Sequence, residues 1–253
     1  MKLKTIFTLL LALTFLSAQA QLAAPDKLAT KKGELTIQPI LHGTVVFTWD
    51  NKTIYVDPYG GAAAFKGMAA PDLILITDIH GDHLDMSTLD SIDVSKAVIV
   101  APQAVADKLP EAMKAKTTVL ANGAKTEKLG ITLTAVPMYN LPEAADAMHP
   151  KGRGNGYLML VGGKTIYLSG DTEDIPEMRA LKNIDVAFVT MNLPYTMDVK
   201  QAASGVLAFK PGIVYPYHFR GKDGFSDVEE FKKLVNTSNK KIDVRLRNWY
   251  PAK

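Results

Sequence analysis

Two histidines and two aspartates lie within six consecutive positions of the segment TDIHGDH, residues 77–83. The segment directly follows an apolar run, DLILI, which is typical of a strand buried in a sheet. If that strand continues, Asp78 and His80 project to the same side, because alternate residues of a strand share a face. Oxygen and imidazole groups that converge at a strand end can bind zinc, manganese or iron. The candidate ligands in this segment are Asp78, His80, Asp82 and His83.

Other ligand-type residues stand next to predicted strands elsewhere in the chain. His218 ends the apolar run 212–218, Asp171 ends the run 165–171, and His149 opens a turn just before another strand. Because strand ends in a packed sandwich tend to line one rim, we expect these residues to meet the TDIHGDH segment there. A carboxylate at Asp171 could then bridge two cations.

The order of the predicted elements indicates the fold class. A meander of strands precedes units in which strands and helices alternate, and the second half of the chain repeats this order. One hairpin is predicted to turn at Asp50–Asn51, and the buried strand before the histidine-rich segment is expected to span 73–77. We therefore predict two mixed sheets packed face to face with helices outside, a four-layer αββα sandwich of the α/β class in a single domain.

The N-terminus has the pattern of a secretory signal. Two lysines precede a short apolar run, and Ala18-Gln19-Ala20 fits a cleavage site. We expect residues 1–20 to be a signal peptide and the protein to be exported, either to the periplasm or out of the cell. An uncleaved membrane anchor is the alternative. Residues 21–34 are interpreted as a weakly patterned N-terminal lead-in, and residues 35–253 as the folded domain.

The composition narrows the classes of function. The chain has 253 residues, no cysteine and a formal net charge of +3. The lack of cysteine removes thiolate as a metal ligand or nucleophile. The sequence has no stripe of basic residues of the kind that indicates a nucleic-acid partner. We expect a small-molecule substrate, no nucleic-acid binding and no stable membrane insertion once the signal is removed. The oligomeric state stays open.

Six segments together resemble the metallo-β-lactamase-fold hydrolase superfamily, in the branch of L-ascorbate-6-phosphate-lactonase-like predicted zinc-dependent hydrolases. The resemblance covers most of residues 35–247, and the ordered set is specific whereas any one motif alone is weak. The matching segments are DPYGG (57–61), TDIHGDHLD (77–85), AVPMYN (135–140), HPKGRGNGY (149–157), YLSGDTEDIPEM (167–178) and YPYHFRG (215–221).

The resemblance implies two adjacent metal positions. The ligands of the first position would be Asp78, His80 and His149. Those of the second position would be Asp82, His83 and His218. Asp171 would bridge the two ions. This chain departs from the family pattern in having Asp78 where a histidine is usual, and it offers Asn140 where the third ligand of the first position often lies. We favour His149 over Asn140 because imidazole is the better ligand for such metals.

The activity implied is hydrolysis by a hydroxide held between two divalent ions, most simply Zn²⁺. Asp82 and Asp171 would be catalytic as well as ligating, since Asp82 would also orient the hydroxide. The substrate would be a small ester, lactone, amide or phosphoester. A β-lactamase or phosphodiesterase of the same fold is an alternative, and so is a non-catalytic metal- or ligand-binding relative. The change at Asp78 is the only hint of that last class.

Counting charges gives Asp78 a consequence of its own. A third carboxylate makes the centre one unit more negative than a histidine version would be. We therefore expect Mn²⁺ or Fe²⁺ to gain on Zn²⁺ at the first position and the hydroxide to be less acidic.

Several further residues are expected around the site rather than in it. Asp57 is interpreted as supporting a ligand or forming a turn, and His42 as either lining the pocket or being an ordinary hydrogen-bonded histidine. Asn192 and Tyr195 could form a pocket wall. The cations that could hold an anionic substrate group, or simply be solvated, are Lys151, Arg153 and Arg220.

Overall fold

The computed structural model describes residues 22–251, so the predicted signal peptide lies outside the described residues. The first seven strands are β1 (Asp26–Thr30), β2 (Gly33–Leu41), β3 (Thr44–Trp49), β4 (Lys52–Val56), β5 (Leu73–Leu75), β6 (Val98–Ala101) and β7 (Thr117–Val119). The others are β8 (Lys125–Lys128), β9 (Ile131–Met138), β10 (Gly154–Val161), β11 (Lys164–Leu168), β12 (Val186–Thr190), β13 (Ile213–Tyr217), β14 (Arg220–Gly221), β15 (Gly224–Phe225) and β16 (Asp243–Val244).

Two seven-stranded sheets share one plan. The first has the order β1-β2-β3-β4-β5-β6-β7, and the second has the order β16-β13-β12-β11-β10-β9-β8. In each sheet four strands run antiparallel as a meander, and the remaining strands are added in parallel. The expected repeat of one order in the two halves is confirmed. The short pair β14-β15 forms a separate ribbon.

Helices cover the outer face of each sheet. They are α1 (Met86–Ser91), α2 (Gln103–Ala106), α3 (Glu111–Lys114), α4 (Pro176–Arg179), α5 (Val199–Phe209) and α6 (Val228–Ser238), with a 3₁₀ turn at Ala62–Phe65. One apolar core lies between the sheets, where Phe47 of the first meets Phe188 of the second edge-on at 5.7 Å between ring centroids. Separate cores lie under α1–α3 and under α4–α6. The predicted αββα sandwich in one domain is confirmed.

Local sequence explains the elements that matter for the site. Asp50 and Asn51 both have positive φ, 49° and 56°, as a two-residue hairpin turn requires, and they join β3 to β4 as predicted. The strand expected over 73–77 is shorter. It ends at Leu75 because the N–H of Thr77 bonds to the carboxylate of Asp57, 2.8 Å away, instead of continuing the ladder.

The lead-in expected over residues 21–34 is not a separate segment in its described part. Asp26–Thr30 pairs antiparallel with β2 and forms the edge of the first sheet. The alternation of apolar and polar residues along this segment is weak because it is an edge strand, with alternate residues exposed and the others only partly buried. Within residues 22–251, no helix is long and apolar enough to cross a membrane.

Candidate metal centre

Strand ends of both sheets meet at one edge of the sandwich. Asp57 follows β4, and Asp171 lies three residues beyond β11. His218 follows β13 directly. The segment that begins at Thr77 leaves β5 at the same edge, since the N–H of Asn155 bonds to the carbonyl of Thr77 at 2.9 Å and ties the two sheets together there. The candidate ligands therefore lie in the connections that leave or approach strand ends at this edge, and His149 belongs to the connection between β9 and β10.

The three residues predicted for the first metal position lie together: Asp78, His80 and His149. Nδ1 of His80 lies 2.8 Å from Oδ2 of Asp78, and Nε2 of His149 lies 4.0 Å from the same oxygen. One ligand atom from each of the three lies within 4.8 Å of the others. The side chains of Asp78 and His149 are buried, whereas the imidazole of His80 is 32% exposed and faces the cavity.

The second position gathers around His218. Its Nε2 lies 3.2 Å from Nε2 of His83 and 3.3 Å from Oδ2 of Asp82. Oδ1 of Asp82 is 3.9 Å from Nε2 of His83. The carboxylate of Asp82 also leans towards His42, whose Nε2 is 3.1 Å from Oδ2. Asp82, His83 and His218 are thus adjacent, and His42 lies beside both Asp82 and His218, with ligand atoms of these three residues within 4.8 Å of one another.

Asp171 lies between the two positions. Its Oδ2 is 3.2 Å from Nε2 of His149 and 3.3 Å from Nε2 of His83, so one oxygen touches a candidate ligand of each position. Its Oδ1 is 3.5 Å from Nε2 of His218. Asp171 therefore lies close to candidate ligands of both groups.

Asp57 holds His83 from behind. Its carboxylate is fully buried and accepts three hydrogen bonds, from the N–H and hydroxyl of Thr77 and from Nδ1 of His83 at 2.8 Å. An acceptor on Nδ1 fixes the tautomer and leaves Nε2 free to face the centre. Asp57 thus lies behind a ligand and does not face the cavity, in the place the sequence suggested for a supporting residue.

Asn140 occupies the corresponding place behind His149. Its side-chain oxygen accepts from the backbone N–H of His149 at 2.7 Å and lies 3.2 Å from Nδ1 of the same residue. Its amide nitrogen donates to the carbonyl of Tyr195 at 2.8 Å and towards Glu173 at 3.3 Å. The amide is therefore fully engaged, and Nε2 of His149 is the group that points towards the other ligands.

Asp78 has a cationic partner that the charge count from sequence left out. Nε of Arg153 donates to Oδ1 at 3.1 Å and Nη2 donates to Oδ2 at 2.8 Å, a bidentate pair. The guanidinium cancels the extra negative charge of the carboxylate. The pair therefore has the same net charge as a neutral histidine, which removes the electrostatic basis for expecting harder metals there.

His42 links the centre to the C-terminal segment. Trp249 is buried between the sheets, and its carbonyl accepts from the N–H of His42 at 3.0 Å. The next residue, Tyr250, places its hydroxyl 2.6 Å from Nδ1 of His42. The rings of His42 and His218 lie 3.7 Å apart between centroids, with their planes tilted by 34°. His42 is thus a hydrogen-bonded histidine that also lines the cavity, and Tyr250 is a contributor that no sequence pattern indicated.

The backbone at this edge adopts an unusual conformation. His42, Asp57 and His218 have φ values of 58°, 44° and 49°, in the left-handed region that non-glycine residues seldom adopt. Such backbone strain is held in place by surrounding structure and concentrates at functional sites. At Gly43, a Cβ would lie 3.0 Å from Cδ2 of His218, so a small residue lets the imidazole pack closely.

The buried pair of His83 and Asp171 has pKa values shifted in opposite directions. Burial lowers the pKa of His83, but Asp171 and Asp57 outweigh it and hold that pKa well above its usual range. Burial likewise raises the pKa of Asp171, yet His218 and His83 bring it well below the usual range. In contrast, burial lowers the pKa of His42 to about 4 despite its bond to Asp82. A buried carboxylate whose pKa is held low, as that of Asp171 is, creates a strong field for a cation.

A cavity of about 350 Å³ opens on the centre. Asn192 is buried in its wall, where its side-chain oxygen accepts from Thr190 at 3.2 Å, and Tyr195 borders it. The lining side chains also include Arg220. Lys151 is held elsewhere by Glu177 at 3.1 Å. The full lining is His42, His80, Asp82, Met148, His149, Asp171, Asn192, Tyr195, Arg220 and Gly221.

The residues present fit a divalent metal. Within the described chain, Nε2 of His149 and Oδ1 of Asp171 are buried and have no hydrogen-bond partner, although each lies close to other candidate ligand atoms. Buried polar groups are normally hydrogen-bonded, so such orphans call for a partner. Imidazole and carboxylate groups are the ligands that zinc and related ions prefer.

Comparison with known proteins places the chain in a family. The model of a β-lactamase superfamily domain matches residues 36–218, which span the whole candidate centre. The chain therefore belongs to the β-lactamase superfamily, as the motifs predicted. The family match and the similarity to metal-dependent hydrolases together show that it is a metal-dependent hydrolase of the β-lactamase fold.

Similar proteins support this class. A UPF0173 metal-dependent hydrolase of Pyrococcus abyssi is 34% identical over 77% of this chain and 90% of its own length. A crystal structure from Parabacteroides distasonis, assigned as a metal-dependent hydrolase, is 39% identical with a TM-score of 0.79, covering 90% of this chain and all of that one. Igni18, a metallo hydrolase of Ignicoccus hospitalis, shares the fold at 22% identity, with a TM-score of 0.71 over 87% and 96% of the chains.

Proposed function

We propose that the protein hydrolyses a small ester, lactone, amide or phosphoester at a centre of two divalent metal ions. The observation that carries the proposal is the position of Asp171. One of its oxygens lies within 3.3 Å of both His149 and His83, which belong to different metal positions. In two-metal sites the ions are about 3.5–4 Å apart, a span that one carboxylate can bridge.

When bound, the two ions would supply a hydroxide from water at neutral pH and polarise the scissile group. The chain's own residues position that chemistry. Asp171 would be a ligand of both ions. Asp82 would be a ligand and would also accept a hydrogen bond that orients the hydroxide. The carboxylate of Asp82 is 34% exposed at the cavity, so it can reach a polar proton there. His42 fixes Asp82 from the side through the 3.1 Å contact.

Arg220 supports a substrate with an anionic group. The three cations that the sequence suggested have different surroundings. Lys151 is engaged by Glu177 and Glu143, and Arg153 by Asp78. Arg220 lines the cavity with its guanidinium 5.3 Å from the ring centroid of Tyr250, and no carboxylate of residues 22–251 pairs with it. An unpaired guanidinium beside a hydrolytic centre can hold a carboxylate or phosphate.

The metal we propose is Zn²⁺, because the ligand set is rich in imidazole. Asp78 is the feature that would admit Mn²⁺ or Fe²⁺ at the first position, since an oxygen ligand suits those ions. Its pairing with Arg153 counts against that exchange. Metal analysis of the purified protein distinguishes the cases.

Export is a further part of the proposal. It is supported by the charged start, the apolar run and the Ala18-Gln19-Ala20 site of the sequence. N-terminal sequencing of protein recovered from fractionated cells tests it. A mature chain beginning near Gln21 in an exported fraction is expected, and an uncleaved chain in the cytosol would contradict it.

A substrate panel with and without a chelator tests the hydrolase proposal. The panel contains generic ester, lactone, β-lactam and phosphodiester substrates, so it includes the activities of other members of this fold. We expect turnover of at least one anionic member, abolished by the chelator and restored by Zn²⁺. Metal binding without turnover of any member would favour a non-catalytic relative that kept the fold.

A further inference from the structure

We propose that the two metal positions differ in affinity, because the groups behind their ligands carry opposite charge. The position formed by Asp82, His83 and His218 binds its ion more tightly and is occupied before the other. A carboxylate, Asp57, stands behind His83 of the second position. A guanidinium, Arg153, stands behind Asp78 of the first. This inference rests on the two-metal centre proposed above but concerns binding, not turnover.

At the second position, Asp57 strengthens the ligand. Its contact of 2.8 Å with Nδ1 of His83 is made with both side chains 1% exposed, where water does not weaken it. An anion on the far nitrogen raises the basicity of Nε2 and orients the ring, and loss of such a partner costs about 10- to 100-fold in metal affinity.

At the first position, Arg153 weakens the ligand. Oδ2 of Asp78 is the oxygen that faces both His80 and His149, and the same atom accepts from Nη2 of Arg153 at 2.8 Å. An ion must share this oxygen with a cationic donor. The carboxylate of Asp78 has no exposed surface, so in the metal-free protein Arg153 already compensates its charge. Metal binding there gains little new compensation.

His149 provides a neutral case at the same position. The group beside its Nδ1 is the amide oxygen of Asn140, which carries no net charge. The second position is therefore supported by an anion, whereas the first has a neutral partner behind one ligand and a cation behind another. All three partners are held by hydrogen bonds to the ligand itself, so the difference lies in their charge.

The direction in which zinc affinity changes when Arg153 is removed distinguishes two roles for this residue. Removing Arg153 leaves a buried, uncompensated carboxylate, which destabilises the metal-free protein. An ion at the first position then becomes the compensating charge and binds more tightly. If Arg153 served only to hold Asp78 in place, its loss would instead weaken metal binding.

Zinc titration of the full-length protein against a chromophoric chelator tests this. We expect two steps in the wild type, with affinities separated by about tenfold or more. Arg153→Gln should narrow the gap by tightening the weaker step, and thermal melts should show a lower Tm without metal and a larger Zn²⁺-induced rise. Arg153→Lys keeps the charge and should keep the gap. Asp57→Asn should also reduce the difference between the two zinc affinities, in this case by weakening the tighter step.

The matched control is Arg247→Gln, which breaks an equally bidentate Arg–Asp pair, with Asp26, outside the cavity. It should change stability and leave both zinc steps alone. Equal zinc affinities for the two binding steps of the wild type would overturn the proposal. So would a lower zinc affinity of the weaker step in Arg153→Gln than in the wild type. Failure of the hydrolase proposal would show separately, as two zinc steps without chelator-sensitive turnover of the substrate panel.

Discussion

Nδ1 of His83 lies 2.8 Å from Oδ2 of Asp57, in a contact from which water is excluded. The same carboxylate draws Thr77 out of the strand ladder through two bonds of 2.8 and 2.6 Å. One buried carboxylate thus ends a strand where the ligand segment must turn and also aims a ligand of that segment. Asp57 therefore contributes both to the end of β5 and to the orientation of a candidate ligand.

Replacing Asp57 by asparagine keeps its shape and removes its charge. We expect Asp57→Asn to lower zinc affinity at the second position by about 10- to 100-fold, because Nε2 of His83 loses the anion that raises its basicity. Competition with a chromophoric chelator measures this. The far-ultraviolet circular dichroism should stay that of the wild type. Unchanged zinc affinity in a folded variant would show that Asp57 only shapes the turn.

The choice between Asn140 and His149 as the third ligand of the first position can be settled by paired variants. His149→Ala should remove one equivalent of bound zinc, because it deletes the orphaned Nε2. Asn140→Ala should retain two equivalents with affinity reduced about tenfold, because the imidazole is less well oriented. Metal content by mass spectrometry after dialysis is the measurement. The reverse pattern would make Asn140 the ligand.

Arg220 is expected to recognise the anionic part of the substrate. With an anionic substrate from the panel, Arg220→Ala should raise KM about tenfold or more with a smaller change in kcat, and inorganic phosphate should inhibit the variant more weakly. Lys151→Ala is the matched control, since that ammonium is held by Glu177 and Glu143 and does not line the cavity. Equal loss in both variants would point to general surface charge.

The Asp26–Arg247 pair should make part of the stability depend on acid pH. Burial raises the pKa of Asp26, but its bonds to Arg247 and Tyr215 hold it below the ordinary value of 3.8. The unfolded chain therefore binds more protons near that pH, so the contribution is present above pH 3.8 and is lost as the pH falls through the folded-state pKa. Urea unfolding from pH 7 to 3 should show a smaller acid loss in Arg247→Gln than in the wild type. Parallel curves would mean that the pair contributes nothing.

Residue type and spacing were sufficient to find the candidate ligands. Histidines and aspartates beside apolar runs lie at strand ends, and the sandwich brings those ends to one edge, so TDIHGDH, Asp171 and His218 could be connected from the sequence alone. The repeat of meander and β/α units likewise predicted the two mixed sheets. These are features that local pattern and general packing rules determine.

Pairings between distant residues could not be predicted in the same way. Arg153 is 75 positions from Asp78, and Tyr250 is 208 from His42. Nothing in either local pattern distinguishes these side chains from solvated ones. The charge count at Asp78 was incomplete for this reason. The early end of β5 was missed because the competing acceptor, Asp57, comes from another strand.

The central claim is that Asp171 bridges two ions, and anomalous diffraction from a zinc-loaded crystal tests it most directly. We expect two anomalous peaks about 3.5–4 Å apart. One should lie among Asp78, His80 and His149, the other among Asp82, His83 and His218, with the Asp171 carboxylate between them. A single peak at saturating zinc, or two peaks of which only one contacts Asp171, would contradict the account.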